Sequence, residues 1–525
     1  MNDARGAASG GRPFRATPTA RTRVLSPWRR IGIAGAIGAM LLGGCATTPD
    51  FRPPEAPAVS AYTPTPLPAQ TDSAPDAAGG AQRFLAGEDI PAEWWTLFRS
   101  DALDRLVRQG LAHSPTLAAA QATLRRAEED LRAEVGVVSP SVDARLSATR
   151  QRFSPEAIGQ PNLPSTVFNL YNASVGVSYT FDLTGGWRRQ LEAVGAQVDY
   201  QAFQLEGAYV ALTANIVTAA VREAALRAQI QATGEILAAR RRELAIVERQ
   251  YKLGGAARAD VLTQRAELAQ IEAGLLPLEK DLAVTRHQLS VLVGRFPGEA
   301  GMPAFRLEEM TLPSDLPVSV PSSLVRQRPD IRAAEALLHQ AAAQVGVATA
   351  NLYPRITLTG SYGPLANSAG DLIGDGTNIW SLGASLVQPL FRGGELSARR
   401  RAALAAYDQA AAQYRDTVLR AFQNVADTLR ALELDARLLQ AQVRAETAAR
   451  DALELTRRSY TLGGTTFLAL LNAERQYQQA RVGLVQARAA RYADTAALFQ
   501  ALGGGWWNRP APLEAVPAQE RKTQE

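Results

Sequence analysis

Tyr251-Lys252-Leu253-Gly254-Gly255 and Tyr460-Thr461-Leu462-Gly463-Gly464 are one phrase written twice, and what surrounds them decides the fold. Upstream of each lies a long stretch without proline, opened by Gly185-Gly186 in one case and Gly393-Gly394 in the other. Downstream, each unit closes on a similar ending, Leu292-Val293-Gly294 and Ala501-Leu502-Gly503. Pairing 186 with 394, 251 with 460 and 294 with 503 gives offsets of 208, 209 and 209. Solenoid repeats recur every ~20–50 residues, so this period marks a duplicated unit of domain size. Two such halves are expected to surround something with pseudo-symmetry.

No proline occurs between Pro164 and Pro277 or between Pro389 and Pro510. Trp187 to Tyr251 is therefore predicted to run as one helix of roughly 100 Å at 1.5 Å per residue. Apolar residues recur at helical spacing, as in Leu191, Val194 and Val198, and small residues elsewhere allow close helix approach. Ahead of each long helix the period changes to two. Val142, Ala144, Leu146 and Ala148 alternate with Ser141, Asp143, Arg145 and Ser147; Val175, Val177, Tyr179 and Phe181 alternate with Ser174, Gly176, Ser178 and Thr180. The second half repeats this with Ile356, Leu358 and Tyr362, then Trp380, Leu382, Ala384 and Leu386. Such alternation puts apolar side chains on one face and small or polar ones on the other. Soluble hairpins with one face on a core would show the same pattern.

The N-terminal region chooses between these readings. Residues 1–44 hold seven Arg and one Asp, which accounts for more than the whole formal charge of +5 and removes the case for nucleic-acid binding. The apolar run from Ile31 to Leu42 is too short for a ~20-residue membrane helix and follows a basic segment, as in a signal peptide. Leu42-Gly43-Gly44-Cys45 resembles a lipobox, which makes the single cysteine, Cys45, the expected acylated residue of an outer-membrane lipoprotein. Residues 45–90, rich in Pro and Ala, read as an extended tether. No later stretch is apolar enough for a transmembrane helix, so any membrane crossing must use strands.

Four strands cannot close a membrane barrel, which needs at least about eight. Edges left open in hydrocarbon would expose unpaired backbone groups, so the barrel must be shared between chains. Oligomerisation follows from the strand count; the number of subunits does not.

The passage RPDIRAAEALLHQAAAQVGVATANLYPRITLTGSYG from Arg328, Gln388-Pro389-Leu390-Phe391-Arg392-Gly393-Gly394 and Leu502-Gly503-Gly504-Gly505-Trp506 together resemble the outer membrane factor family, the TolC-like and OprM-like channels, in its lipoprotein branch. The resemblance covers about residues 90–507. It implies a mainly α, mixed fold: a homotrimer with a twelve-stranded transmembrane β-barrel, four strands per chain, continued by a long periplasmic α-helical barrel. The first repeat then spans 91–310, with a strand pair at about 140–183 and a helical hairpin at 187–294. The second spans 311–507, with strands at about 354–391 and a hairpin at 394–503; 508–525 is a flexible tail. The resemblance further implies an outer-membrane exit duct of a tripartite efflux system, with a periplasmic adaptor and an inner-membrane pump as partners. The hairpin tips Gly254, Gly255, Gly463 and Gly464 would dock the adaptor. Tyr460, Leu468, Asn472, Arg475 and Asp260 would form the gate, with Tyr460 hydrogen-bonded to Asp260. Where the family pattern reads Leu-x-Leu-Leu-Asp-Ala, this chain has Asn472 in place of Asp.

An enzyme finds little support. His113, His287 and His339 lie in three separate segments without metal-ligand spacing, and there is no Gly-x-Ser-x-Gly elbow or phosphate-cradling loop. No cofactor is expected. A type I secretion duct or a lipid-anchored periplasmic coiled-coil scaffold are the alternatives.

Overall fold

The computed structural model describes residues 50–159, 162 and 164–509. The leader 1–44, Cys45 and the tail from 510 onward lie outside them.

The duplication is expressed as two helical hairpins of identical size. Helix α3 (Gly186–Lys252) and helix α7 (Glu395–Thr461) each have 67 residues; α4 (Arg258–Leu292) and α8 (Phe467–Ala501) each have 35. All four boundaries are displaced by 209 positions (186 to 395, 252 to 461, 258 to 467, 292 to 501). This corrects the offset of 208 at the first glycine pair. The structural equivalents are Gly185 and Gly394, both left-handed and both capping the start of a long helix. Shorter helices α1 (Asp101–His113), α2 (Pro115–Val138), α5 (Pro321–Gln327) and α6 (Pro329–Ala350) precede the strands of each half. Helix α3 is the hub, packed on α1, α2, α4, α6 and α8, whereas α7 packs on α6 and α8.

Strands β2 (Ser141–Phe153), β3 (Thr166–Phe181), β5 (Arg355–Ala366) and β6 (Asn378–Val387) form one antiparallel sheet in the order β2-β3-β5-β6. Its register assembles the alternation into a continuous face. Val142 opposes Val177 and Leu146 opposes Ala173; Tyr179 opposes Leu358, which opposes Ala384; Tyr362 opposes Trp380. The reverse face carries Asp143, Ser174, Ser178, Thr359, Ser361 and Ser381. A one-residue slip would exchange the faces, so pattern and pairing fix each other. In the single chain the apolar face is bare: Trp380, Leu382 and Leu146 are 76, 80 and 79 % exposed.

A belt around the helices was not foreseen. Residues expected to form a free tether are docked along it: Thr71, Ala78, Gln82 and Ile90 are buried. Strand β1 (Arg83–Ala86) pairs in parallel with β4 (Asp315–Val318), far away in sequence. The fully buried Arg491 of α8 donates to the carbonyls of Ala78 and Gly80 and to Gln82 Oε1, while Arg488 grips Asp76 at 2.9 Å. These charge-assisted bonds satisfy backbone oxygens that an irregular segment would otherwise bury unpaired. Trp94 stacks on Phe499, and with Trp95, Phe98 and Phe305 forms the aromatic centre of the core. Each such buried side chain contributes roughly 1.5–3 kcal/mol.

The motifs that carried the resemblance have structural work in this belt. Arg328 pairs with Asp330 at 2.6 Å and donates to Ala501 O at the end of α8, with Pro329 as the first residue of α6. Gly503, Gly504 and Gly505 are all left-handed, and a Cβ there would meet Gln327 O, Val210 or the carbonyls of Ile90 and Pro91 within about 3 Å. Glycine is demanded twice over, by backbone angle and by close approach.

Candidate functional site

The far end of the hairpins is built by identical helix stops. Gly254 (φ +80°) and Gly463 (φ +76°) are left-handed, and the next amides close the turn. Gly255 N donates to Gln250 O and Gly464 N to Ser459 O, both at 2.8 Å. This six-to-one bond with a left-handed glycine is the Schellman stop. Leu253 and Leu462 are left pointing into solvent, 81 and 87 % exposed.

The helix starts that follow differ. At α4 the Asp260 carboxylate reaches back to accept from Ala257 N at 3.0 Å. At α8 the Thr466 hydroxyl accepts from Ala469 N at 3.2 Å. Asp260 Oδ2 is thus bonded to its own backbone, and the expected hydrogen bond from Tyr460 is not formed within the chain. The two groups are still close enough to interact: burial, then the Asp260 charge, raises the Tyr460 phenol above its ordinary value. The Tyr460 ring packs on Phe467 at 5.8 Å.

Leu468, Asn472, Arg475 and Gln479 recur at spacings of four, three and four, which places them on one stripe of α8. Leu468 and Asn472 are exposed; Arg475 pairs across to Glu267 of α4 at 2.6 Å. Above them the stripe enters a cleft of about 850 Å³ between α4 and α8, floored by α3 and lined by Gln270, Gln478, Gln479 and Gln486. The slot is open, and its one carboxylate, Glu267, is held between Arg240 and Arg475.

Beneath the stripe lies a group of residues that sequence reasoning missed. Arg240 of α3 is 3 % exposed and bonds to Glu474 of α8, with Glu243 at 3.5 Å and Glu267 of α4 at 3.8 Å. Arg457 of α7 reaches Glu243 at 2.8 Å and Glu474 at 3.3 Å. All four long helices thus meet in one charge cluster above the tips. Burial and a hydrogen bond with Glu243, only partly offset by Arg240, push the Glu474 carboxyl up to about 8. The run Arg240-Arg241-Arg242 was visible in the sequence, but which arginine turns inward depends on helix phase.

The single chain thus joins a bare apolar strand face to long paired hairpins. A family model described as outer membrane efflux protein matches residues 106–295 and 320–504, the two repeats in turn. The chain belongs to that family. The outer membrane efflux protein is similar to the toluene efflux pump outer membrane protein TtgC of Pseudomonas putida, at 29 % identity covering 90 % of this chain and 95 % of TtgC. The pyoverdine export outer membrane protein OpmQ of Pseudomonas aeruginosa is 31 % identical, covering 89 % and 95 % respectively. Among solved structures, the outer-membrane channel OprN superposes with a TM-score of 0.78 at 29 % identity, covering 88 % of this chain and all of OprN. The protein is an efflux channel of the outer membrane, a transport duct rather than an enzyme.

Proposed function

We propose that three copies of this efflux protein close a twelve-stranded barrel in the outer membrane, anchored by acylated Cys45 and continued by a periplasmic helical tunnel. One observation carries this reading: the chain has two unfinished sides that match. At the membrane end β2 and β6 are open edges of a sheet with an apolar face. Along the helices, α4 leaves Leu262, Leu276 and Val291 exposed, and α7 leaves Leu404, Leu419 and Leu434 exposed. A head-to-tail contact that pairs one side with the other closes a ring and removes both open edges of the four-stranded sheet.

In this assembly the duct receives substrate from an inner-membrane pump through a periplasmic adaptor that docks at Gly254-Gly255 and Gly463-Gly464. The stripe bearing Leu468 and Asn472 faces the lumen and narrows it. Its apolar ring is supplied by Leu468, and Arg475 is held back by Glu267. With no nucleotide-binding motif in the sequence, the driving force comes from the pump. The names of TtgC and OpmQ carry toluene and pyoverdine, chemically unlike cargoes, which supports a wide duct that leaves selection to its partners and favours small-molecule efflux.

Electron microscopy of the detergent-extracted protein tests the assembly: a threefold tube roughly 100 Å long beyond a short barrel is expected, and a monomeric rod would refute it. For the gate, Asn472→Asp is expected to increase block of single-channel conductance by divalent cations, because three carboxylates in one narrow lumen attract them and three amides do not. An unchanged block would remove Asn472 from the lumen.

A further inference from the structure

Just below the sheet, both strand-to-helix junctions are basic. The first reads Gly185-Gly186-Trp187-Arg188-Arg189. The second reads Leu390-Phe391-Arg392-Gly393-Gly394, with Arg399-Arg400-Arg401 four to six residues into α7. Paired strand ends fix their level: Phe181 opposes Ile356 and Arg355 opposes Val387, so both junctions leave the sheet at the same height. The acids at this level are few: Glu134 and Asp182 line the pocket under the first junction, and Glu395 opens α7. Glu395 pairs with Arg399 at 2.7 Å, and Asp182 accepts from Arg188 N at 3.0 Å. Arg188, Arg392, Arg400 and Arg401 are exposed and have no acidic partner among the described residues. Beside them Leu390 and Phe391 are 92 and 89 % exposed, on a knuckle pinned by Gln388 Nε2 donating to Leu352 O.

An exposed aromatic and aliphatic pair followed by unpaired arginines, at the foot of a lipid-facing wall, has the composition of a membrane-interface anchor. We propose that this collar binds the phosphate headgroups of anionic glycerophospholipids in the periplasmic leaflet. Leu390 and Phe391 enter the acyl boundary, and Arg392, Arg400, Arg401 and Arg188 take the phosphates. Three consecutive arginines span some 200° of the α7 circumference, so packing of one helix side cannot bury all three. This rests on the barrel reading above.

The test is lipid retention by the full-length protein reconstituted into vesicles of phosphatidylcholine with 20 % phosphatidylglycerol, then extracted and its bound lipids quantified. Phosphatidylglycerol is expected to be enriched, each arginine near the surface being worth roughly fivefold. Arg392→Gln/Arg400→Gln/Arg401→Gln should bring the retained ratio down to that of the vesicle, while the triple Lys variant keeps it. Enrichment in the wild type should also fall as salt rises. A Gln variant that retains enrichment, or wild-type enrichment that is absent or indifferent to salt, overturns the collar. Failure of the wild type to insert into either neutral or anionic vesicles would instead refute the barrel.

Discussion

The two hairpins share every boundary yet differ in how they are held. Helix α3 is enclosed by neighbours on most sides, while α7, of equal length, keeps a row of leucines bare. Their tips stop on the same glycine geometry, but one restarts with a charged residue, Asp260, and the other with Thr466 followed by Phe467 and Leu468. Duplication has preserved what the backbone demands. Side chains were free to diverge, and the second hairpin became the more apolar at its tip.

Separating the hairpins is expected to have the largest effect. Arg240→Ala removes the buried guanidinium that Glu474 and the half-buried Glu243 share, leaving only Arg457 beside them, and should destabilise the protein by about 1–3 kcal/mol. Arg241→Ala, next in sequence and on the exposed side, should cost under about 1 kcal/mol. Comparable losses in denaturant titrations of the two variants would show that the cluster is not a structural tie.

The same cluster has a signature in pH. Glu474 has a folded value of about 8 against an ordinary 4.5. Between these values the folded chain holds a proton that the unfolded chain has released, so stability should fall as pH rises through that window. Glu474→Gln should flatten the slope of melting temperature between pH 5 and 8; a slope equal to that of the wild type would point to another group. Asp435, raised to about 7 by burial and its contact with Asp494, contributes in the same direction and would account for a residual slope.

The tips sharpen the comparison on a smaller scale. Gly254→Ala and Gly463→Ala should each cost about 1–2 kcal/mol through the left-handed backbone, and nearly equally, since a Cβ at either position meets open space. Unequal costs in thermal melts would show that the stops are not equivalent. Asp260→Ala and Thr466→Ala should each cost about 1 kcal/mol or less as lost helix-start contacts. Only Asp260→Ala should also alter the Tyr460 phenol, read by its ultraviolet titration.

Much of this was legible because it is written in periods. Alternation along Val142 to Ala148 and Trp380 to Leu386 assigned the strand faces, and the proline gaps assigned the long helices. The belt was illegible for a physical reason. Strands β1 and β4 are four residues each, far apart in sequence, and the Pro- and Ala-rich composition before them has no period to read. Burial there is imposed from outside, by Arg488 and Arg491. Likewise Asp260 was readable as a tip residue, but its bond to Ala257 N is a matter of local reach.

The equal lengths of α3 and α7 have a mechanical consequence. Adding one residue to a single hairpin arm advances its tip by about 1.5 Å and swings it about 100°, so neither arm can be retuned alone. The paired arms set one common reach for the two tips, adjustable only in near-whole turns and in both halves together.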